Sequence, residues 1–394
     1  MNIQRSCFQK IIERILEPRK FIQVLYGARQ VGKTTLMQQV AKAVGEPYLF
    51  ASADDMNEAD TVWVRRLWDE ARKLHRQTGK AVLLIIDEIQ KVPNWSESVK
   101  KEWDADSLNS QDIKVVILGS SSLKIQQGLT ESLAGRFESI FIPHWSYQEM
   151  ADAFGFSLNQ YIWLGGYPGS AQLVSDEKRW KHYIRNSLID TTLSRDILMM
   201  TRVDKPVLLR RLFEIGCSYS AQILSLTKIQ GELMESGNLT TLSHYLSLLS
   251  SASLLCGLEK FSNNVLRKRA SKPKFQVFNN ALMSAVSPYS WEEAALNPSL
   301  WGRAVESAVG THLLNHSYGE DYRLYYWNEN SKEVDFVIEN GKKTVAIEVK
   351  SGKDSFNRGM ALFDQQFHPS ALYTIGTDGI PLEEFFRMNP AELF

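Results

Sequence analysis

The stretch VLYGARQVGKTTL, Val24 to Leu36, constrains this chain more than any other. Within it Gly27 to Thr34 follows the pattern G-x-x-x-x-G-K-[ST], between an apolar strand-like run, FIQVLYG, and a helix-like run, KTTLMQQVAKAVG. In that context the pattern demands a strand, a glycine-bearing loop and a helix N-terminus in succession. Such a loop aims backbone N–H groups and the positive end of a helix dipole at one point, where an anion is held. Gly27 and Gly32 let the backbone approach a phosphate with no side chain in between. The nucleotide-binding residues expected here are Gly27, Ala28, Arg29, Gln30, Val31, Gly32, Lys33, Thr34 and Thr35. Lys33 is placed to reach the terminal phosphates and the Thr34 hydroxyl to meet Mg²⁺. The competing reading is a turn that matches by chance.

A second segment weighs against chance. LLIIDEIQ ends an apolar run with Asp87 and Glu88. A carboxylate at a strand end beside a phosphate loop holds Mg²⁺, and its neighbour orients or deprotonates an attacking water. Without the loop the pair would be two solvated acids. The first third as a whole alternates such runs, with AVLLIIDEIQ and IKVVILGSSS separated by helical patterns. That alternation predicts an α/β fold with a parallel sheet covered on both faces.

Charge and cysteine content limit the partners. Lys plus Arg and Asp plus Glu both number 45, so no overall field draws the chain to nucleic acid or an anionic membrane, and any such contact must be local. Cys7, Cys217 and Cys256 are too few and too scattered for a disulfide framework or a zinc site, which suits a reducing cytoplasm. The opening MNIQRSCFQKIIERIL mixes charge with apolar residues, and no later run approaches the ~18 apolar residues of a membrane span. Neither export nor a membrane partner is expected.

Beyond Trp145 the pattern turns helical, punctuated by LGGYPG at Leu164 to Gly169, and 145–204 reads as a helical lid. Over 205–272 two helical patterns flank a Gly237-Asn238 turn, with Leu242, Tyr245, Leu246 and Leu249 on one face of the second, which suggests a winged helix-turn-helix. The other face offers Thr240, Thr241, Ser243, His244 and Ser247, a poor set for reading bases. RKRASKPK, Arg267 to Lys274, supplies local positive charge, either for phosphate contact with DNA or as a solvated basic loop.

The last segment, 273–394, returns to α/β alternation, with KEVDFVIE and TVAIEVKSG joined by the hairpin signal NGKK. Asp335 lies on the first strand, and Glu348 and Lys350 share a face of the second, with Ile347 and Val349 toward the core. Two carboxylates converging across strands bind Mg²⁺ or Mn²⁺, and a lysine beside them activates water; Glu306, on a helical stretch, offers another carboxylate. His312 and His316, one turn apart, form an incomplete zinc pair or an ordinary helix surface. The tryptophans of VWVRRLW and the aromatics of LYYWN read as core.

YGARQVGKTTL, DEIQKVPNW, ILGSSS, ESLAGRF and WSYQEM, in that order, resemble a prokaryotic AAA-type ATPase family whose members carry a restriction-endonuclease-like domain at the C-terminus. The resemblance implies a P-loop ATPase core over 1–144, with Ser120 or Ser121 as polar sensor. It implies Arg136 as an arginine finger, acting in trans within a homo-oligomer; Arg195 is a second candidate from the lid. It also implies a PD-(D/E)xK nuclease-like fold at the C-terminus, which the D-x12-E-x-K spacing of Asp335, Glu348 and Lys350 resembles, with Val334 where that pattern has proline. The function so implied is Mg²⁺-dependent ATP hydrolysis coupled to rearrangement of DNA-binding or nuclease-like modules. The alternative is a nucleotide-dependent switch or protein-binding regulator with an inactive nuclease-like scaffold.

Overall fold

The computed structural model describes residues 3–55, 60–119, 129, 132–198, 202–232, 238–264, 271–350, 352 and 358–394. Ser120, Ser121, Gly237 and the basic residues Arg267 to Arg269 lie outside the described residues. The chain divides into two compact units, 1–142 and 143–394.

In the first unit, strands β1 (Ile22–Tyr26), β2 (Tyr48–Ser52), β3 (Val82–Asp87), β4 (Ile113–Gly119) and β5 (Phe137–Phe141) form one sheet in the order β2-β3-β4-β1-β5. Every pairing is parallel. Its crossover helices include α2 (Lys33–Val44), α3 (Thr61–Thr78) and α4 (Trp95–Leu108), and α1 (Phe8–Leu16) precedes the first strand. Period-two alternation sorts β3 between two cores. Val82, Leu84 and Ile86 pack with Trp68 of α3 and Trp103 of α4, while Leu83 and Ile85 pack with Leu36 and Met37 of α2 and Ile11 of α1. Burial of each such aliphatic side chain contributes about 1.5–3 kcal/mol, which is why the run contains no polar residue until Asp87. Between α3 and α4, Arg72 donates to Glu102 and Asp106 at 2.7 Å each, and Trp68 Nε1 donates to Asp106 at 3.0 Å.

The second unit opens with helices α5 (Tyr147–Phe154), α6 (Leu158–Leu164) and α7 (Glu177–His182), the last continued by π-helical turns Tyr183–Ile189 and Thr192–Leu198. Next come α8 (Pro206–Ser218), α9 (Leu226–Glu232) and α10 (Leu239–Ser251), then the antiparallel pair β6 (Leu255–Leu258) and β7 (Lys274–Val277). Leu242, Tyr245, Leu246 and Leu249 form the buried side of α10, and Asn238 caps it by accepting from Thr241 N at 2.7 Å.

Helices α11 (Asn280–Val286), α12 (Trp291–Leu296) and α13 (Pro298–Ser317) lead into a four-stranded sheet of order β11-β10-β9-β8. It comprises β8 (Arg323–Glu329), β9 (Lys332–Asn340), β10 (Lys343–Lys350) and β11 (Ala371–Gly376). β8, β9 and β10 are antiparallel neighbours and β11 joins β10 in parallel. Gly341, at φ 55°, makes the tight turn between β9 and β10. Helix α14 (Arg358–Phe367) covers the face bearing Val337 and Ala346, and Gly310 of α13 lies against Phe336 on the other. Both faces being covered, β10 departs from simple alternation: Val345 to Glu348 are all buried, and Val349 is partly exposed.

LGGYPG is more than a turn. An added Cβ at Gly165 would stand 2.0 Å from Asn279 Oδ1, and one at Gly166 would stand 2.1 Å from Trp145 O. Their absence lets Asn279 accept from Gly166 N at 3.1 Å, fastening the start of this unit to the residues before α11.

Candidate nucleotide site and C-terminal carboxylate cluster

The loop between β1 and α2 has the shape its sequence demands. Gly32 takes φ 87° at the N-cap of α2, and Gln30 lies at φ 58°. At Gly27 a Cβ would sit 2.2 Å from the carbonyl oxygen of Ile142, so only glycine passes the end of the neighbouring chain segment. Lys33 folds back over its own loop, donating from Nζ to Gly27 O at 3.1 Å and Ala28 O at 2.7 Å, and is buried there. From outside the motif, buried Arg5 donates to Val31 O at 2.7 Å and braces the loop.

Thr34 Oγ1 donates to Asp87 Oδ2 at 2.6 Å, joining the first turn of α2 to the end of β3. A hydroxyl beside a carboxylate is an oxygen donor set of the kind Mg²⁺ takes, so these two residues fit that ion. Glu88 leaves the strand in the left-handed region, at φ 53°, and its backbone N–H is held by Asp87 Oδ1 at 2.9 Å and Leu118 O at 3.1 Å. Its Oε2 accepts from Nε2 of the buried Gln90 at 2.6 Å. Gln90 is thus a site residue that motif reading passed over, although it stands in the quoted DEIQ.

Arg136 grips Asp104 of α4 bidentately, Nε to Oδ1 at 2.7 Å and Nη2 to Oδ2 at 3.0 Å. The bond to Asp104 raises the guanidinium above its ordinary range. Arg195, in the second unit, is exposed on a π-helical turn.

At the C-terminus the structure gathers Glu306 of α13 with Glu333 and Asp335 of β9, their nearest carboxylate oxygens lying within 4.8 Å of one another. Glu348 does not join them; its Oε1 faces Lys350 Nζ at 3.2 Å. The β9–β10 ladder runs to Phe336 and Ile347, and beyond it Asp335 Oδ2 accepts from Val349 N at 2.8 Å. Asp335 therefore prolongs strand pairing as well as facing the cluster.

Lys274, the first residue of β7, reaches into the cluster with no exposed surface. Its Nζ donates to Glu306 Oε1 at 2.7 Å, Glu333 Oε1 at 3.0 Å and Asp335 O at 3.1 Å, and lies 3.9 Å from Asp335 Oδ1. Burial alone would push this amine down, but Glu306, Asp335 and Glu333 carry it above its ordinary value. Burial pushes the Glu306 carboxyl up and the Lys274 charge opposes it. The balance leaves Glu306 at about 8, with 21% of its side chain open to the adjoining cleft. The sequence reading that grouped Lys274 with a solvated or phosphate-contacting basic stretch is corrected here, because its ammonium is enclosed by carboxylates.

His312 is buried and His316 half-buried, rather than both lying on an open helix surface. Their rings lie 4.3 Å apart, and their nitrogens meet Met388 O and His312 O at 3.1 and 2.9 Å. Among the described residues neither belongs to a group of metal-ligating side chains. Trp63, Trp68, Tyr325, Tyr326 and Trp327 are core residues.

Three family models match successive parts of the chain. The model for an AAA domain matches residues 19–151, and two models described as domains of unknown function, DUF8612 and DUF4143, match 155–293 and 301–394. The first unit is thereby an AAA-type P-loop domain, of the class that binds ATP. Over its whole length the chain is 27% identical to the uncharacterized proteins Rv2008c of Mycobacterium tuberculosis and Mb2031c of Mycobacterium bovis, covering 85% of each. It is 29% identical to the uncharacterized protein MJ1637 of Methanocaldococcus jannaschii over 30% of this chain and 25% of that one. Among solved structures, the RuvB Holliday junction branch migration motor of Thermotoga maritima shares 17% identity at a TM-score of 0.34, covering 65% of this chain and 90% of that one. The ORC1 protein of Aeropyrum pernix, solved with DNA, shares 13% at 0.33, covering 73% and 93%. No helix among the described residues is long and apolar enough to cross a membrane.

Proposed function

We propose that this chain binds and hydrolyses ATP with Mg²⁺ at the loop of Gly27 to Thr34, and that turnover drives rearrangement of the modules in the second unit. The observation that carries this reading is the 2.6 Å bond from Thr34 Oγ1 to Asp87 Oδ2, which brings the end of the phosphate loop to the acid that closes β3. Backbone N–H groups of the loop bind the phosphates, and Lys33 exchanges its own-loop carbonyls for terminal phosphate oxygens, which are stronger acceptors. Thr34 and Asp87 would hold Mg²⁺, which neutralises phosphate charge when bound. Glu88 orients and deprotonates the attacking water, and Gln90 fixes its carboxylate. Ser120 or Ser121 serves as polar sensor, and Arg136 stabilises transition-state charge in a neighbouring copy of the chain.

The second unit is read as a helical lid over 145–204, a winged-helix-like module over 205–272 and a nuclease-like fold over 273–394, in a cytoplasmic protein whose macromolecular ligand is DNA. Support for the middle module is the run of α9, α10 and β6, although the partner of β6, β7 (Lys274–Val277), falls just past its boundary. A second reading, a nucleotide-dependent regulator that binds protein, is favoured by the exposed side of α10. Thr240, Ser243, His244 and Ser247 there provide no cation for a phosphate.

Steady-state ATP turnover measured alone and with duplex DNA, single-stranded DNA and RNA decides between them. Stimulation by duplex DNA supports the first reading. Turnover indifferent to all three supports the regulator, and absence of any turnover with Mg²⁺ defeats both.

A further inference from the structure

We infer that Lys274 is the resident cation of the Glu306, Glu333 and Asp335 cluster, standing in the place of the divalent ion that a nuclease-like fold would carry there. This cluster is accordingly metal-free and structural. An ammonium has three protons, and here each has an acceptor: Glu306 Oε1, Glu333 Oε1 and the carbonyl of Asp335. A buried charge is tolerated only when paired and hydrogen-bonded in this way. Mg²⁺ would need carboxylate oxygens at about 2.0–2.1 Å, and two of those available already point at Nζ. An ion on the same oxygens would lie in contact with a like charge that has no route to solvent, since Lys274 is fully enclosed and its Nζ lies over the Phe336 ring, 4.9 Å from the centroid. Enclosure also bars Lys274 from touching a substrate, so it does not replace Lys350 as a water-activating lysine.

The lysine comes from a different part of the chain than the acids. Lys274 falls within the matched region 155–293, whereas Glu306, Glu333 and Asp335 fall within 301–394. The cluster therefore pins the two regions together inside one compact unit. The carboxylates also line an opening of about 550 Å³, together with Lys228, Lys272 and Arg303.

The test is Mn²⁺ binding by the full chain without nucleotide, followed by electron paramagnetic resonance, so that its result is independent of the ATPase reading. Wild type and Asp335→Asn should titrate identically. Lys274→Met should gain about one site per chain, lost again in the Lys274→Met, Asp335→Asn double variant, and Mn²⁺ should raise the melting temperature of Lys274→Met but not of wild type. Wild-type Mn²⁺ binding that Asp335→Asn abolishes would overturn the inference, as would a well-folded Lys274→Met that gains no site. If Lys274→Met does not fold, the comparison of wild type with Asp335→Asn decides alone.

Discussion

Glu88 occupies a backbone region that a non-glycine residue enters at a cost of about 1–3 kcal/mol. The surrounding hydrogen bonds from its N–H and from Gln90 hold it there, aimed beside Asp87. Glu88→Gln preserves shape and removes only the base, so ATP binding should persist while turnover falls roughly 10²- to 10⁴-fold. Unchanged turnover would take Glu88 out of that role. Arg136 poses a sharper choice, because its bond to Asp104 could be its whole purpose. As an arginine finger it must leave Asp104 to act, so Arg136→Ala should cost about 10³-fold or more in turnover, whereas Asp104→Ala should leave turnover intact. Equal, small effects of the two substitutions, read at several protein concentrations, would reduce Arg136 to a surface ion pair.

At the scale of elements, glycines separate two kinds of constraint. Gly45 caps α2 at φ 73° with open space around it, so Gly45→Ala should cost about 1–2 kcal/mol of backbone strain and no nucleotide affinity. Gly166 meets the backbone carbonyl of Trp145, which cannot swing aside, so Gly166→Ala should destabilise the second unit by about 1–3 kcal/mol. Urea midpoints read the difference, and a neutral Gly166→Ala would refute the close approach. The same distinction explains what was legible in the sequence. The phosphate loop could be read because its chemistry is contiguous, and β3 because an apolar run ends abruptly in two acids. The hairpin of β9 and β10 announced itself through Asn340 and Gly341, and the buried side of α10 through its leucine spacing. β2, β5 and β11 are short and carry no motif. The carboxylate cluster was only half legible: Glu306 and Asp335 were placed in it, but the spacing rule chose Glu348 where the fold brings Glu333. Lys274 was hidden because its partners lie on α13 and β9, and because it follows basic neighbours that disguise a core residue as surface. The available signal was the apolar KFQVF that it begins.

On the scale of the molecule, two compact units with separate cores predict two unfolding transitions, and acid should act mainly on one of them. Six of the seven histidines lie in the second unit, the first having only His75. Burial against Phe385 and Phe386 pushes the His312 imidazole well below its ordinary range, with His316 adding to the effect and Met388 O opposing it. Burial likewise lowers His316, against the pull of His312 O, Glu320 and Glu149. Both rings are therefore neutral in the fold at a pH where the unfolded chain has begun to take up protons. At these two groups the unfolded state binds the more protons, so their contribution to stability rises with pH: it is complete above about pH 6.5 and is lost on acidification toward the lowered folded values, while Glu306, raised to about 8 in the same unit, works in the opposite direction. The slope approaches about 1.4 kcal/mol per pH unit for each imidazole. Urea unfolding at pH 7.5 and 5.5, followed by hydrogen exchange to assign each transition, should show the second unit's midpoint falling more than the first's. His312→Gln, which keeps a donor for Met388 O but cannot be protonated, should remove much of that fall. An equal pH dependence of the second-unit midpoint in wild type and His312→Gln would mean that the His312 imidazole is charged or solvated in the fold, contrary to its burial.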